Sequence, residues 1–339
     1  MLAGIALLSA VATRAARRYA VSKQLIDTPN HRSSHEVPIP RGGGLALALA
    51  WFVAVAAFAR PTLSPLTAAL FFGGLLISFL GWQDDLGRSS VRVRLVVQFV
   101  AVTALVMAIG APGSVSFGVA TLPLGPFAIP VVIMGLVWMV NLYNFMDGVD
   151  GIAATQAMVA GCAVGAILLA HGAPELALLS FAVAAAGVGF IRWNWPPARV
   201  FMGDVGSGLL GFAFGAIALA GSVETSVSLP LLLLPVGPFI ADATATLIRR
   251  GMRGERIYLA HRRHLYQRLA QGGWSHKRVS AVTGAIALAL SGLAFWGAGG
   301  TGRTTVALGL GVMGLVVVGV ILSRLAVDFD DAPGSELPS

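Results

Sequence analysis

Long apolar runs separated by short polar connections recur along the whole 339-residue chain. Many of them approach or reach about 17 to 25 residues, the length that a helix needs to cross a bilayer core. The pattern gives eleven candidate spans, at 2–16, 43–60, 63–81, 93–111, 126–142, 152–171, 174–191, 206–222, 227–248, 279–299 and 303–323. It predicts an all-α polytopic membrane protein with about 11 transmembrane helices.

The composition is typical of a chain that is embedded in the lipid bilayer. Hydrophobic residues make up 56% of it, charged residues only 11%, and the mean hydropathy is +0.81, whereas soluble domains carry about twice that charged fraction. Neither a repeat nor a soluble domain interrupts the spans. We therefore expect one integral membrane domain over residues 1–325 and a flexible cytoplasmic tail over 326–339.

The basic residues segregate to one side of this arrangement. Threading the spans back and forth brings together the connections 17–42, 82–92, 143–151, 192–205 and 249–278 with the tail. Of the 23 Lys and Arg residues, only Arg60 and Arg303 fall on the other side. The positive-inside rule makes the basic side cytoplasmic. The net charge of +8 then follows from topology, and no nucleic-acid partner is needed to explain it.

The same side carries paired carboxylates, beginning with Asp84 and Asp85 in "GWQDDLGRSS". Adjacent carboxylates repel each other, and a divalent cation or a group of bases makes the pair favourable. A solvated turn balanced by nearby arginines explains this pair equally well when it is considered alone.

A second acidic motif, "NLYNFMDGVDG", spaces Asn144, Asp147 and Asp150 three residues apart. This spacing predicts that successive members are neighbours on a helix, with Gly148 and Gly151 leaving the backbone open to a ligand. Turns and helix caps use the same residue types, but one cap requires fewer of them.

The third motif, "RWNWPPARVFMGDVGSG", places Asp204 between Gly203 and Gly206 just before a span. Amides at a glycine-rich helix start bind phosphate oxygens, and an Asp there can hold the Mg²⁺ that accompanies a nucleotide pyrophosphate. Glycine-rich helix starts also serve as packing devices in membranes.

Two further connections are basic. In "HRRHLYQRL", His261 and His264 are one helical turn apart with Arg262 and Arg263 between them. Two histidines could ligate zinc, but no third ligand is near, and the arginines favour a phosphate grip. The first connection adds Arg32, His35 and Arg41.

Asp242 lies within a span, where an ionisable group is costly enough to suggest a function. Gly237 and Pro238 precede it and could break the helix. A carboxylate facing a cavity and a carboxylate pairing with a neighbouring helix are equally compatible with the sequence.

Five motifs together resemble the polyprenyl-phosphate N-acetylhexosamine-1-phosphate transferase family over residues 27–268. They are "DTPNHR", "DDLG", "NLYNFMDGVDG", "NWPPARVFMGDVGSG" and "HRRHLYQR", in this order. The resemblance implies a multi-pass enzyme of the bacterial inner membrane with its active site on the cytoplasmic side. Such enzymes move a sugar-1-phosphate from a UDP-N-acetylhexosamine to undecaprenyl phosphate, release UMP and require Mg²⁺, with Mn²⁺ as an alternative.

Carried over to this chain, the family pattern makes Asp204 the metal ligand, with Asp84 and Asp85 at the reacting phosphates and the metal. The resemblance also implies catalytic roles for Asp147, Asp150, His261 and His264. It implies substrate contacts for Asn144 and for Asn194 near the uridine. The basic residues of the first and last connections are added as candidate substrate-binding residues because they can grip phosphate: Arg32, His35, Arg41, Arg262 and Arg263. Some relatives have a third Asp where this chain has Arg88.

The branch of the family is a separate question. Members that use UDP-MurNAc-pentapeptide in peptidoglycan synthesis resemble one another in a triple-histidine run, from which "HRRHLYQRL" departs. This favours the branch that initiates O-antigen or other surface polysaccharide, with a GlcNAc, FucNAc or QuiNAc donor. A cation-coupled transporter is the alternative from another class, and glycine- and alanine-rich helix faces leave a homodimer open.

Overall fold

The computed structural model of the chain describes residues 1–28, 37–58, 64–255 and 261–326. Its α-helices are α1 Leu2–Ser22, α2 Gly44–Phe58, α3 Pro65–Asp85, α4 Val91–Ile109, α5 Ala128–Phe145, α6 Ile152–Ala170, α7 Pro174–Asn194, α8 Gly203–Glu224, α9 Leu229–Leu233, α10 Gly237–Met252, α11 Leu265–Gln271, α12 His276–Gly297 and α13 Thr301–Leu325. Two antiparallel strand pairs join β1 Ile26–Asp27 to β2 Ile39–Pro40 and β3 Ser114–Ser116 to β4 Thr121–Pro123. The all-α prediction is confirmed.

Within the described ranges, nine helical segments are long and apolar enough to cross a membrane. They are α3, α4, α5 with the turn before it, α6, α7, α8, the pair α9–α10, α12 and α13. The two remaining predicted spans coincide with α1 and α2. The second of these has only 15 residues, and α1 carries three arginines, which is why neither meets the same measure.

Helix α8 lies at the centre of the molecule, with 94% of its apolar stretch buried by other helices. It packs most extensively on α3 and α5. Its first turn carries Asp204, and the last turn of α3 carries Asp84 and Asp85. The helix packing therefore brings acidic residues from distant parts of the sequence to one end of the bundle.

Connections predicted to share a side do meet at this end. Gly43 N and Gly44 N donate to the carbonyls of Phe201 and Met202 at 2.9 and 2.8 Å, which ties the connection before α2 to the one before α8. We call this the site end. At the opposite end, Thr305 contacts the β3–β4 hairpin by accepting from Val119 N at 2.8 Å. The hairpin is a feature that the sequence pattern did not predict.

The helix break expected near Gly237 is present. Residues Leu234–Val236 form a short 3₁₀ turn between α9 and α10, and α10 begins at Gly237 with Pro238 in its first turn. Proline is tolerated there because the first turn of a helix leaves its amide groups without intrahelical partners. Asp242 follows one turn later.

Candidate active site

Asp85 and Asp204 lie in direct contact at the centre of the site end. The backbone amide of Asp204 donates to Asp85 Oδ1 at 3.0 Å. Two glycines make this approach possible, since a Cβ on Gly81 would lie 2.5 Å from the Asp204 backbone and one on Gly203 would lie 2.6 Å from Asp85 Oδ2. Gly203 also has a φ of +73°, which disfavours other residues.

Asp84 completes a group of three carboxylates that we call the acid cluster: Asp84, Asp85 and Asp204. Arg94 Nη1 donates to Asp84 Oδ2 at 2.5 Å. The Asp84 and Asp204 side chains also come within hydrogen-bonding reach of each other. Two carboxyl groups in contact require a shared proton or a cation between them. The cluster therefore has the electrostatic character of a cation site.

The donor atoms fit Mg²⁺ in one particular way. Among the described residues, no group of three or more His, Cys, Asp or Glu side chains is arranged to hold a metal ion by itself. However, Asp85 Oδ2 is buried without a hydrogen-bond partner in that part of the chain. Mg²⁺ usually takes one or two carboxylates and fills its remaining positions with water and phosphate oxygens. The acid cluster suits a cation that arrives with a phosphorylated substrate.

Asn144, Asp147 and Asp150 are not successive neighbours on a helix, so that prediction is wrong. Helix α5 ends at Phe145, and only Asn144 belongs to it. The next turn is tightened by a bond from Asp147 N to the Asn144 carbonyl at 3.2 Å, and the chain then departs from helical geometry. The three side chains consequently have three different environments.

Asn144 faces the acid cluster through Ser207. The Ser207 hydroxyl donates to Asn144 Oδ1 at 3.0 Å and is also within 3.1 Å of the Gly203 carbonyl. This couples α5 to the first turn of α8. Sequence reasoning missed Ser207, although it follows Asp204 by three residues and so lies on the same face of α8.

Asp147 is the member of this motif that lies in the electrostatic field of the acid cluster. Burial raises its pKa well above the ordinary value, and the charges of Asp85 and Asp150 raise it further. A carboxylate in such a position is favoured in its charged form only when a cation is nearby. The structure thus places Asp147 beside the acid cluster, and its membership of a reactive site stays a prediction.

Asp150 joins three segments of the protein. Its Oδ2 accepts from Ala198 N at 2.9 Å, its Oδ1 lies 3.3 Å from His276 Nδ1, and its backbone carbonyl accepts from Ser280 Oγ at 2.7 Å. The buried carboxylate thus holds the connection before α8 against the start of α12. This geometry gives Asp150 a positioning role, and direct chemistry at Asp150 stays a prediction.

Asn194 is also occupied by structural contacts. Its Oδ1 accepts from Gly151 N and its Nδ2 donates to the Val200 carbonyl, both at 3.0 Å. The side chain is buried at 2% exposure. Both ends of the Asn194 amide group are thus already used by contacts within the described residues. Contact between Asn194 and a uridine stays a prediction.

His261 and His264 precede α11 instead of lying on a helical turn, but their rings are close, with centroids 4.8 Å apart. The order of α11 depends on Asp242, whose carboxylate accepts from Leu265 N at 2.8 Å and from Tyr266 N at 3.1 Å. The structure therefore supports the pairing role for Asp242. The cap anchors the segment that presents both histidines.

The pKa of His261 is lowered to about 4, first by burial and then by His264, Arg250 and Arg263. The imidazole is consequently neutral at neutral pH. His264, Arg250 and Arg263 make the position favourable for an anion, whereas Glu255, which pairs with both arginines, opposes this effect. A phosphate placed there would raise the pKa again.

The predicted arginines fall into two groups. In the first group, Arg263 pairs with Glu255, and Glu255 also pairs with Arg250 at 2.9 Å. Arg262 belongs to the same group, and burial lowers the pKa of its guanidinium. Arg41 pairs with Asp27 at 2.9 Å and lies within the electrostatic range of Asp85 and Asp204. Arg32 and His35 lie outside the described residues.

Comparison with known proteins shows which family combines these acidic and basic residues at the end of membrane helices. Residues 67–222 match the glycosyl transferase family 4 pattern. A probable undecaprenyl-phosphate N-acetylglucosaminyl 1-phosphate transferase of Bacillus subtilis (strain 168) is 30% identical over 274 residues, covering 79% of this chain and 75% of the relative. The chain belongs to the polyprenyl-phosphate N-acetylhexosamine-1-phosphate transferase family.

Other members of the family are similar over comparable lengths. An undecaprenyl-phosphate alpha-N-acetylglucosaminyl 1-phosphate transferase of Salmonella typhi is 30% identical, covering 82% of this chain and 78% of the relative. A decaprenyl-phosphate N-acetylglucosaminephosphotransferase of Mycobacterium tuberculosis (strain CDC 1551 / Oshkosh) is 29% identical, covering 93% and 85%. The matched segment 67–222 of this transferase contains the acid cluster, Asn144 and Asp147.

Proposed function

We propose that this transferase moves N-acetylhexosamine-1-phosphate from a UDP-sugar to undecaprenyl phosphate, giving undecaprenyl-diphosphate-sugar and UMP. The observation that carries the proposal is the acid cluster at the end of the central membrane helices, where one carboxylate oxygen of Asp85 has no hydrogen-bond partner among the described residues. A lipid phosphate in the bilayer and a soluble nucleotide can both reach such a position.

The chemistry requires charge neutralisation and alignment more than covalent help. An oxygen of the lipid phosphate forms a bond to the β-phosphorus of the UDP-sugar, and the bond between that phosphorus and the bridging oxygen breaks, releasing UMP. Because the second pKa of a phosphate monoester is about 6, the attacking group is largely dianionic at neutral pH. Asp84 or Asp85 would position the lipid phosphate or accept its residual proton.

Bound Mg²⁺ would supply neutralisation of the pyrophosphate charge, with Asp204 and the pair Asp84 and Asp85 as its ligands. The remaining contacts come from residues 261–264 before α11, which we call the basic segment. His261, neutral in the free protein, would face the pyrophosphate together with Arg262 and Arg263. Arg41, near Asp85 and Asp204, would hold a phosphate oxygen from the opposite side.

GlcNAc is the proposed sugar, because three relatives carry it in their names. We place the protein in the bacterial inner membrane with the site end in the cytoplasm, initiating O-antigen or related envelope glycan. The departure from a triple-histidine run makes UDP-MurNAc-pentapeptide the second candidate donor. A transporter is disfavoured because Asp242 is engaged in capping α11.

The test is UMP release by the purified full chain with Mg²⁺, undecaprenyl phosphate and a panel of UDP-sugars that includes UDP-MurNAc-pentapeptide. We expect release with UDP-GlcNAc and loss on chelation. Asp204→Asn should lower turnover by about 10²-fold or more, since it removes charge stabilisation in the transition state. Glu175→Gln, on an exposed residue at the opposite end, is the matched control. Absence of release with every donor would overturn the proposal.

A covalent phospho-aspartate is the competing mechanism. Incubation with a UDP-sugar labelled at the β-phosphate, without lipid acceptor, should leave the protein unlabelled if attack is direct. Label retained on the denatured protein, and lost in Asp85→Asn, would establish the covalent route instead.

A further inference from the structure

A second basic site lies between α1 and α7, away from the acid cluster. A cleft of about 500 Å³ is lined by Ala10, Val11, Arg14, Arg17, Arg18, Arg192 and Trp193. We call it the arginine cleft. Helix α1 packs mainly on α2 and α7, whereas the acid cluster lies on α3 and α8. The predicted reaction leaves these arginines without a role.

Close packing between the two helices fixes the shape of the cleft. Ser9 Oγ donates to the Ala186 carbonyl at 2.7 Å, and the Trp193 indole donates to the Ala10 carbonyl at 3.1 Å. Close to the first of these contacts the two backbones nearly touch, because a Cβ on Gly189 would lie 2.2 Å from the Ala6 carbonyl oxygen. The arginines therefore extend from a well-defined helix pair.

Within the described residues, the arginine cleft holds positive charge without acidic partners. Among the residues that the structure describes, no acidic side chain forms an ion pair with any of its four arginines. Arg17 Nε donates to the Arg199 carbonyl at 3.1 Å, and Arg14, Arg18 and Arg192 are exposed. The positive-inside rule explains the sign of these charges, but it does not explain their convergence on one cleft.

The helix faces that carry the arginines continue as apolar surface. On α1, Leu7 and Val11 are 66% and 59% exposed, and their spacing places them on one face with Arg14 and Arg18. On α7, Val188 is 48% exposed and lies one turn before Arg192. Each helix thus presents an apolar surface followed by a basic end in the same direction. A ligand that matches this surface has an anionic head and an apolar chain.

We propose that the arginine cleft binds the phosphate headgroup of an anionic membrane phospholipid, with its acyl chains against Leu7, Val11 and Val188. Basic clefts between transmembrane helices at the cytoplasmic surface bind such headgroups, and Trp is common at that depth. Arg17 links the cleft to Arg199, in the connection that leads to Asp204. A bound phospholipid would therefore steady that connection from outside the active site.

Native mass spectrometry of the delipidated full chain tests the proposal, with phosphatidylglycerol and phosphatidylcholine of identical acyl chains as probes. The test variant is Arg14→Gln with Arg192→Gln, which takes one exposed arginine from each helix and leaves Arg17 in place. The control is Lys277→Gln with Arg324→Gln, which removes the same charge at exposed positions outside the cleft.

We expect tighter binding of phosphatidylglycerol by the wild type and the control. The test variant should lose about fivefold in affinity for each arginine, or roughly 25-fold in all, and become unselective. Equal binding of both lipids by the wild type, or equal losses in both variants, would overturn the proposal.

Two further arms identify other occupants. Stoichiometric displacement of phosphatidylglycerol by undecaprenyl phosphate would overturn the assignment in favour of the substrate lipid. A change of oligomeric state in the test variant, without a change in lipid adducts, would overturn it in favour of a second copy of the chain. Glycerol phosphate should not compete at equal concentration, because it lacks the apolar part.

Discussion

At the scale of single residues, two aspartates of one motif have different roles. Asp147 has a pKa raised well above its ordinary value by burial and by neighbouring carboxylates, so its charge is unfavourable in the free protein. Asp147→Asn should therefore abolish UMP release while leaving the melting temperature of the purified protein unchanged or higher. A fall in melting temperature with full activity would contradict this assignment.

Asp150 should show the opposite behaviour. Its carboxylate accepts from Ala198 N and faces His276, so Asp150→Ala leaves a buried amide without its acceptor. We expect a loss of about 1–3 kcal/mol in the free energy of unfolding. Asp150→Asn retains one acceptor oxygen and should recover part of the stability. Thermal unfolding of both variants in detergent checks the order, and an unchanged melting temperature in Asp150→Ala would refute the positioning role.

His261 gives the protein a defined pH response. Its pKa of about 4 in the folded chain lies below the ordinary value of 6.5, so the unfolded chain takes up a proton before the folded chain does. The stability associated with His261 is complete above about pH 6.5 and falls between pH 6.5 and pH 4. His261→Gln should flatten this acid limb in a series of melting temperatures. Histidine NMR of the wild type should show the pKa rising when UDP-sugar binds.

At the scale of elements, the short helix α11 depends on a carboxylate from the membrane helix α10. Asp242 accepts from two amides at the start of α11, and the Tyr266 hydroxyl donates to the Phe145 carbonyl at 2.9 Å. These contacts tie the basic segment to the acidic motif after α5. Asp242 is thus connected to the site end through α11.

Removing this cap should disorder α11 without breaking α10. In Asp242→Ala, hydrogen exchange at Leu265 and Tyr266 should quicken, and KM for the UDP-sugar should rise more than kcat falls. Asp242→Asn keeps an acceptor and should restore slower exchange. Thr246→Val, which removes a donor to Asp242 but leaves the cap, is the matched control. Unchanged exchange in Asp242→Ala would show that α11 forms independently.

Hydropathy predicted most of these elements but placed their ends incorrectly at the site. The third predicted span stops at residue 81, whereas α3 continues through Asp85, and the eighth begins at 206, whereas α8 begins at Gly203. The apolar pattern of a span ends at the first polar turn, but the backbone hydrogen bonding of the helix continues beyond that turn. The carboxylates of the acid cluster lie on these polar turns, so the sequence could indicate them while missing their helical setting.

The directions of the side chains could not be predicted from the sequence, for a different reason. Residues three apart face together only while the helix lasts, and α5 ends at Phe145. Ser207 and the cap from Asp242 arise from packing between distant segments, which leaves no local pattern. Asp85 and Asp204 were predicted together because topology placed both at one end and because the family resemblance assigned both to the metal. Their contact depends on the approach that Gly81 and Gly203 allow.

At the scale of the whole molecule, one end carries the acid cluster and the other carries the β3–β4 hairpin. Positive-inside bias predicts the site end in the cytoplasm. Val119, in the hairpin connection, is 76% exposed, and Lys277 is exposed at the start of α12. These two positions can report the orientation independently of activity. The single free cysteine of the described chain, Cys162, is itself exposed and must first be replaced.

We expect a membrane-impermeant maleimide to label Val119→Cys, and not Lys277→Cys, when each is placed in a Cys162→Ala background and probed in intact spheroplasts. Permeabilisation should make Lys277→Cys reactive, which controls for burial of the thiol. The two substitutions lie far from the acid cluster in sequence and carry no proposed catalytic role, so UMP release confirms that each variant is folded. Labelling of Lys277→Cys before permeabilisation would reverse the topology. It would also place the acid cluster on the side of the membrane where UDP-sugars are absent, because cells make and keep nucleotide sugars in the cytoplasm.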